Sequence, residues 1–232
     1  MTQILGATLS TFDLDTLGGG ATDGWTADAN TWVYVSASTF KIVGSDVTAI
    51  FKAGTRLKWT QTTVKYGVVI SSAYAGGDTT VTIAVNSNYV VSTPTAISLN
   101  YYSYMDPPDY PAYFDFVATW VGFTATIPVV IYRYAIMGHT CIINITTVTQ
   151  GASGGASGAN FTVTMPVTSK NTAEYFQYGT APYALDNSVV IGSAVAYTSP
   201  GSNVMTLIKS AASAAWTNAN LKSADVKIFV EF

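Results

Sequence analysis

The segment Thr55-Arg56-Leu57-Lys58-Trp59-Thr60-Gln61 alternates residue by residue, with Leu57 and Trp59 set apart from Arg56, Lys58 and Thr60. A period of two puts successive side chains on opposite faces, so this is a strand with one apolar and one wet face. Short runs rich in β-branched and aromatic residues repeat along the chain at 31–35, 39–43, 64–71 and 79–85, then at 129–136, 139–145, 161–167, 189–197, 204–208 and 226–232. They are broken by turn residues: Ala75-Gly76-Gly77-Asp78 reads as a hairpin turn, and Met137-Gly138 separates two further runs. Only Ser210 to Ala219 has helix-like composition. The chain is predicted to be all-β.

Asp106-Pro107-Pro108-Asp109-Tyr110-Pro111 interrupts this pattern. Its prolines remove backbone donors and fix φ, so it is neither helix nor central strand. The expected division is an N-terminal arm at 1–24, a small β-barrel or sandwich for assembly or docking at 25–105, a Pro-rich linker at 106–112, and a jelly-roll-like β-sandwich at 113–232. The glycine tract 18–20 reads as spacer within the arm, and Gly151 to Gly158 as a connection without packable side chains.

Charged residues make up 10% of the sequence and apolar ones 49%, against roughly a quarter charged in an ordinary domain. Surfaces so poor in charge cost little to desolvate, which points to a subunit of a permanent assembly. The net charge is −3 and the ten Lys and Arg are scattered, so no basic patch fits a phosphate backbone. No apolar run reaches the ~18 residues a membrane helix needs. Met1-Thr2-Gln3-Ile4-Leu5 lacks a basic, apolar leader pattern, and synthesis in a cytoplasm is expected. The single cysteine, Cys141, lies in an apolar run and is expected to be a buried small hydrophobe.

Catalytic constellations fail on partners. Gly151-Ala152-Ser153-Gly154-Gly155 matches a nucleophile-elbow string, but the one histidine, His139, precedes it, and no helix-forming run follows the glycines. One His and one Cys make no zinc shell. Asp13-Leu14-Asp15 lacks the downstream bidentate acid of a calcium loop. Asp106 and Asp109 are expected to be solvated linker acids rather than a glycosidase pair. No cofactor and no metal are expected. Aromatic residues are plentiful, with 15 Tyr, 10 Phe and 5 Trp. Tyr175, Phe176, Tyr178 and Tyr183 are expected in a long connection of the second region. They are candidates for receptor or subunit contact, because rings with a polar tip suit both.

The stretch Gly24-Trp25-Thr26-Ala27-Asp28-Ala29-Asn30-Thr31-Trp32-Val33-Tyr34 is followed by Ile42-Val43-Gly44-Ser45-Asp46-Val47-Thr48. Then come Gly54-Thr55-Arg56-Leu57-Lys58-Trp59-Thr60-Gln61-Thr62-Thr63-Val64-Lys65-Tyr66 and Tyr101-Tyr102-Ser103. In that order these pieces resemble a module of structural proteins of tailed bacteriophages and prophages. The second half resembles more loosely the β-sandwich heads of phage fibre and tail proteins, through Thr119-Trp120, Gly122-Phe123, Tyr132-Arg133-Tyr134 and Phe161 to Val167. Ile136-Met137-Gly138-His139 departs from it, where a longer polar hairpin is expected. The resemblance implies a virion protein without enzymatic activity: a tail or fibre component, homotrimeric, bound to other virion proteins and in contact with host-surface glycan. The alternatives are a capsid decoration protein and a glycan-active depolymerase or esterase.

Overall fold

The computed structural model describes residues 23–93, 95–122, 130–147, 152–153, 161–172, 176–186, 189–209 and 221–232. The chain is all-β, as expected, with two antiparallel sheets and, among the described residues, no α-helix. The arm through residue 22, most of the 151–158 tract and the 210–219 run lie outside the described residues.

The first sheet holds β1 (Thr26–Ala27), β2 (Trp32–Ser36), β3 (Thr39–Ile42), β4 (Arg56–Gln61), β5 (Thr63–Ala75), β6 (Asp78–Ala84) and β7 (Ser98–Ser103) in the order β1-β7-β4-β5-β6-β3-β2. Its two edges, β1 and β2, belong to one stretch of chain interrupted only at residues 28–31. The sheet therefore curls so that one segment supplies both rims, β1 pairing with β7 and β2 with β3. Asp28 holds the interruption: its amide donates to Asn100 O at 2.8 Å, and its carboxylate accepts from Trp32 Nε1 at 2.7 Å.

The second sheet repeats the device. Its order is β8 (Phe114–Asp115), β10 (Val130–Met137), β11 (Thr140–Thr147), β17 (Leu221–Glu231), β14 (Gln177–Asp186), β15 (Val189–Thr198), β16 (Val204–Lys209), β13 (Phe161–Thr164) and β9 (Trp120–Val121). The short β12 (Ala152–Ser153) pairs with β17 off this path. The rims β8 and β9 are again one segment, broken at 116–119, and Trp120 Nε1 crosses the seam to donate to Tyr132 Oη at 2.6 Å.

Alternation explains the walls. Along β4, Leu57, Trp59 and Gln61 point inward and are buried. Trp32, Phe40, Phe51 and Trp59 fill the first interior, with Trp32 stacked on Phe40 at 4.2 Å between ring centroids. β5 reads differently because both its faces are covered: Val69 enters this core while its neighbour Val68 faces out and joins the core of the second sheet. A strand buried on both sides shows a continuous apolar run, here Val68-Val69-Ile70, rather than clean alternation.

One expectation about the strands needs correction. Residues 177–186 of the supposed long connection form a ten-residue strand, β14, paired with both β15 and β17. Gly179, Ala181, Pro182 and Ala184 hide its β character, but lying between two partners outweighs weak propensity. The 136–139 corner is the tight hairpin that the Met137-Gly138 break implies, with Met137 paired to Thr140 and Gly138 at φ 59°, so the chain departs here from the longer hairpin of the resembled proteins. Glycine reaches that left-handed conformation without strain. Cys141 is fully buried, and burial pushes its thiol up to about 12.

Residues 106–112 join the sheets and are packed against the first of them. Asp109 accepts from Trp25 Nε1 at 2.6 Å, Lys58 Nζ at 2.7 Å and Tyr66 Oη at 3.0 Å, and Tyr110 Oη donates to Gly67 O at 3.0 Å. Asp106 pairs with Arg56. These are anchoring acids, not free linker acids, because the outward face of β4 carries the cations that meet them. Burial pushes the Asp109 carboxyl up, but the hydrogen bonds from Lys58, Trp25 and Tyr66 outweigh it and hold the group below its ordinary range. The sheets also touch directly: a Cβ built on Gly54 would lie 2.7 Å from Gly138 Cα.

Candidate functional surface

The second barrel carries its exposed rings on the outer faces of β14, β15 and β17. Along β17, Val226, Ile228 and Val230 point into the core, which turns Lys227, Phe229 and Glu231 outward. Along β15, Ala194, Ala196 and Thr198 point inward and Tyr197 outward. Tyr178 pairs with Tyr197, and Gly179 pairs with Ile228. One step along the antiparallel ladder therefore sets Tyr178 beside Phe229, which itself faces Ile142 on β11. The outcome is one outward row across four strands: Ile142, Phe229, Tyr178, Tyr197.

Tyr178 is 64% exposed and Phe229 51%. Phe176 flanks the row, its ring centroid 6.5 Å from that of Tyr178 and 6.0 Å from that of Tyr197, while Tyr178 and Tyr197 are 6.2 Å apart. Spacings of 4.5–7 Å are those at which rings support one another. Lys227 Nζ sits 5.5 Å from the Phe229 ring. Between Tyr178 and Phe229 runs a shallow groove of about 280 Å³, with Thr140, Thr172, Gln177 and Glu231 on its walls. Gln177 and the Glu231 backbone exchange two hydrogen bonds, of 2.9 and 2.6 Å, and Lys170 pairs with the Glu231 carboxylate at 2.7 Å. These contacts stiffen the rim where β14 and β17 end.

Of the residues singled out in the sequence, the structure brings Phe176 and Tyr178 together. Tyr183 lies further along β14, opposite Asp225 and beyond a register shift, and Tyr175 is outside the described residues. Phe229 and Tyr197 are site residues that sequence reasoning missed. The signal for Phe229 was present, since alternation in 226–231 puts it in phase with Lys227 and Glu231.

The surface offers stacking and hydrogen bonding. His139 is exposed at a hairpin, with its carbonyl accepting from Phe232 N at 3.0 Å and its ring 6.1 Å from that of Phe232. Ser153 lies on β12, paired with Leu221. Among the described residues no three His, Cys, Asp or Glu gather as a metal site. Compared with known proteins, the chain matches no family model, no curated protein and no solved structure.

Proposed function

We propose that this chain is a non-enzymatic structural subunit of a tailed-phage virion, a tail or fibre component that oligomerises on the particle and meets its partner through the aromatic row. The observation that carries the reading is the placement of Tyr178, Phe229 and Phe176, each at least half exposed, on the outer face of a sheet whose core is complete without them. Contiguous exposed rings on an otherwise satisfied barrel are the mark of a contact surface. Tyr and Phe anchor interfaces because they bury large area at small entropic cost. The scarcity of charge supports the same reading, and so does the resemblance of residues 24–104 to a phage structural module. Trimer symmetry follows from that resemblance, and host glycan is the partner it implies beyond the virion.

The test is light scattering of the purified chain, together with imaging of the particle that contains it. A trimer, or a lattice position on tail or fibre with the row at a contact, is expected. A stable monomer found on no particle overturns the reading, and a position on the capsid shell turns it into a decoration protein. Release of reducing sugar or acyl groups from envelope material, abolished by His139→Ala or Ser153→Ala, would make it a hydrolase.

A further inference from the structure

The two barrels enclose a cleft that the assembly reading does not use. Its volume is about 230 Å³, and it lies where the outward face of β4, the 106–114 segment and the β10–β11 hairpin meet. Its apolar lining includes Phe114 and Ile136, both nearly inaccessible, and Tyr113 and Met137 stand exposed at its rim. Arg56 occupies one end. Its side chain is only 19% exposed, and its guanidinium carbon lies 5.3 Å from the centre of the Tyr110 ring. Nε is buried and makes no hydrogen bond: the Asp106 carboxylate is 3.0 Å away but out of line for one. Asp106 itself is 76% exposed.

A guanidinium has five N–H donors in a planar fork shaped for a carboxylate. Here the fork is stacked, largely desolvated and held by one misaligned contact to a carboxylate that is mostly in water. A buried donor without a partner is unfavourable, so the site gains from any acceptor that reaches it in line. The remaining wall decides what that acceptor is attached to. A sugar would press hydroxyl groups against Phe114 and Ile136, where they would lose water and find no partner. A chain or ring of carbon fits that wall. We propose that the cleft binds a small organic acid, its carboxylate on the Arg56 fork and its apolar body against Phe114 and Ile136, with Asp106 as the internal competitor that the ligand displaces. This proposal is independent of the assembly reading, since the cleft belongs to one chain and lies apart from the exposed rings, touching their row only through Ile142.

The experiment is a calorimetric and NMR titration of the full chain at neutral pH and low salt, with hexanoate, acetate and hexanamide as probes. Hexanoate is expected to bind in the millimolar range and to shift the signals of Met137 and Ile136. Acetate lacks the apolar body and hexanamide the charge, so both should bind at least tenfold more weakly. Asp106→Asn removes the competing carboxylate and should tighten hexanoate by roughly fivefold, the scale of one exposed ion pair. Arg56→Gln should abolish binding. Because it could also disturb β4, Asp106→Asn carries the decision: it keeps the side chain's shape at a mostly exposed position, and an unchanged melting temperature checks that the fold is kept. No binding by hexanoate, equal binding by hexanamide, or weaker binding in Asp106→Asn each overturns the proposal. The oligomeric state measured on the same samples reports separately on the assembly reading.

Discussion

The two sheets each draw both rims from one stretch of chain, yet they build their interiors differently. In the first, Trp32, Phe40, Phe51 and Trp59 form the interior, and the outward face of β4 is locked by ion pairs to the joining segment. In the second, the interior between β11, β17, β14 and β15 is aliphatic and small: Ile143, Ile145, Ala181, Ala194, Ala196, Val226, Ile228 and Val230. Its large buried rings, Phe114, Tyr134 and Phe161, belong to β8, β10 and β13, and Phe114 reaches the inter-barrel contact through Tyr89 and Tyr110. Phe116, Trp120, Tyr132 and Phe232 pack against that core, while Phe176, Tyr178 and Phe229 stand exposed. A core that is already packed has no use for Tyr178 or Phe229, and they stand exposed. The comparison separates aromatic residues that hold the fold from those that the fold leaves exposed.

Trp59→Ala should break the first barrel most severely. A fully buried Trp replaced by Ala costs about 3–5 kcal/mol, and the lost hydrogen bond to Gln61, at 3.4 Å, adds little. Urea unfolding followed by Trp fluorescence and circular dichroism checks this; a loss under about 1 kcal/mol would mean that the aromatic interior is not what holds this barrel.

Gly54→Ala attacks the contact between barrels. Gly54 has φ +87° and faces the Gly138 backbone, so a Cβ there is strained and must push the sheets apart. Overpacking of this kind costs about 1–3 kcal/mol. The mutant should also unfold in two steps where the wild type unfolds in one, which differential scanning calorimetry resolves.

Asp109→Ala removes the anchor of the joining segment. Hydrogen bonds to a charged group are each worth about 1.5–3 kcal/mol when buried, but this carboxylate is 40% exposed, and a total near 1–2 kcal/mol is expected after discounting for solvent. The folded carboxyl titrates below its unfolded value. Its contribution is therefore complete above the ordinary carboxylate range, near pH 4, and disappears as pH falls through the depressed folded value. Stability of wild type and mutant, measured from pH 7 down to pH 2, should converge at the acid end; a constant gap would assign the loss to packing rather than to charge.

Tyr178→Ala should have the smallest effect on stability, within about 0.5 kcal/mol as for exposed sites, while weakening self-association or cell binding. A fall in melting temperature comparable to that of Trp59→Ala would erase the distinction between the barrels and make the outer rings part of the fold.

Why the 54–66 stretch has its particular residues becomes clear only in three dimensions. Gln61 Nε2 donates to the carbonyls of Ser92 and Thr95 at 2.7 Å each, and Lys65 Nζ donates to Val90 O at 2.6 Å. With Thr62 at φ 65° turning the chain between them, two polar residues pin the loop that leads into β7. Lys65 is buried, and burial lowers its ammonium below the usual lysine range. The strands themselves were legible because each has one wet and one dry face, or a continuous apolar run. β14 was not, because Gly179, Ala181, Pro182 and Ala184 carry no periodic signal. Gly179 has to be small: a Cβ there would lie 2.5 Å from Lys227 O on β17. The same closeness that removed the sequence signal is what seats Tyr178 beside Phe229.

Sequence by itself determined the all-β class, the hairpins at Gly76-Gly77 and Met137-Gly138, the burial of Cys141 and the inward phase of Leu57 and Trp59. Each follows from local rules: a period of two, positive φ at glycine, and apolar neighbours. Tertiary structure alone decided that residues 26–36 and 114–121 each close a sheet, that Asp106 and Asp109 meet Arg56 and Lys58, and that Tyr178, Tyr197 and Phe229 align. Those outcomes depend on which strands become neighbours and in what register, and register is set by pairing between segments up to 91 residues apart, as Thr140 and Glu231 are, where no local periodicity reaches.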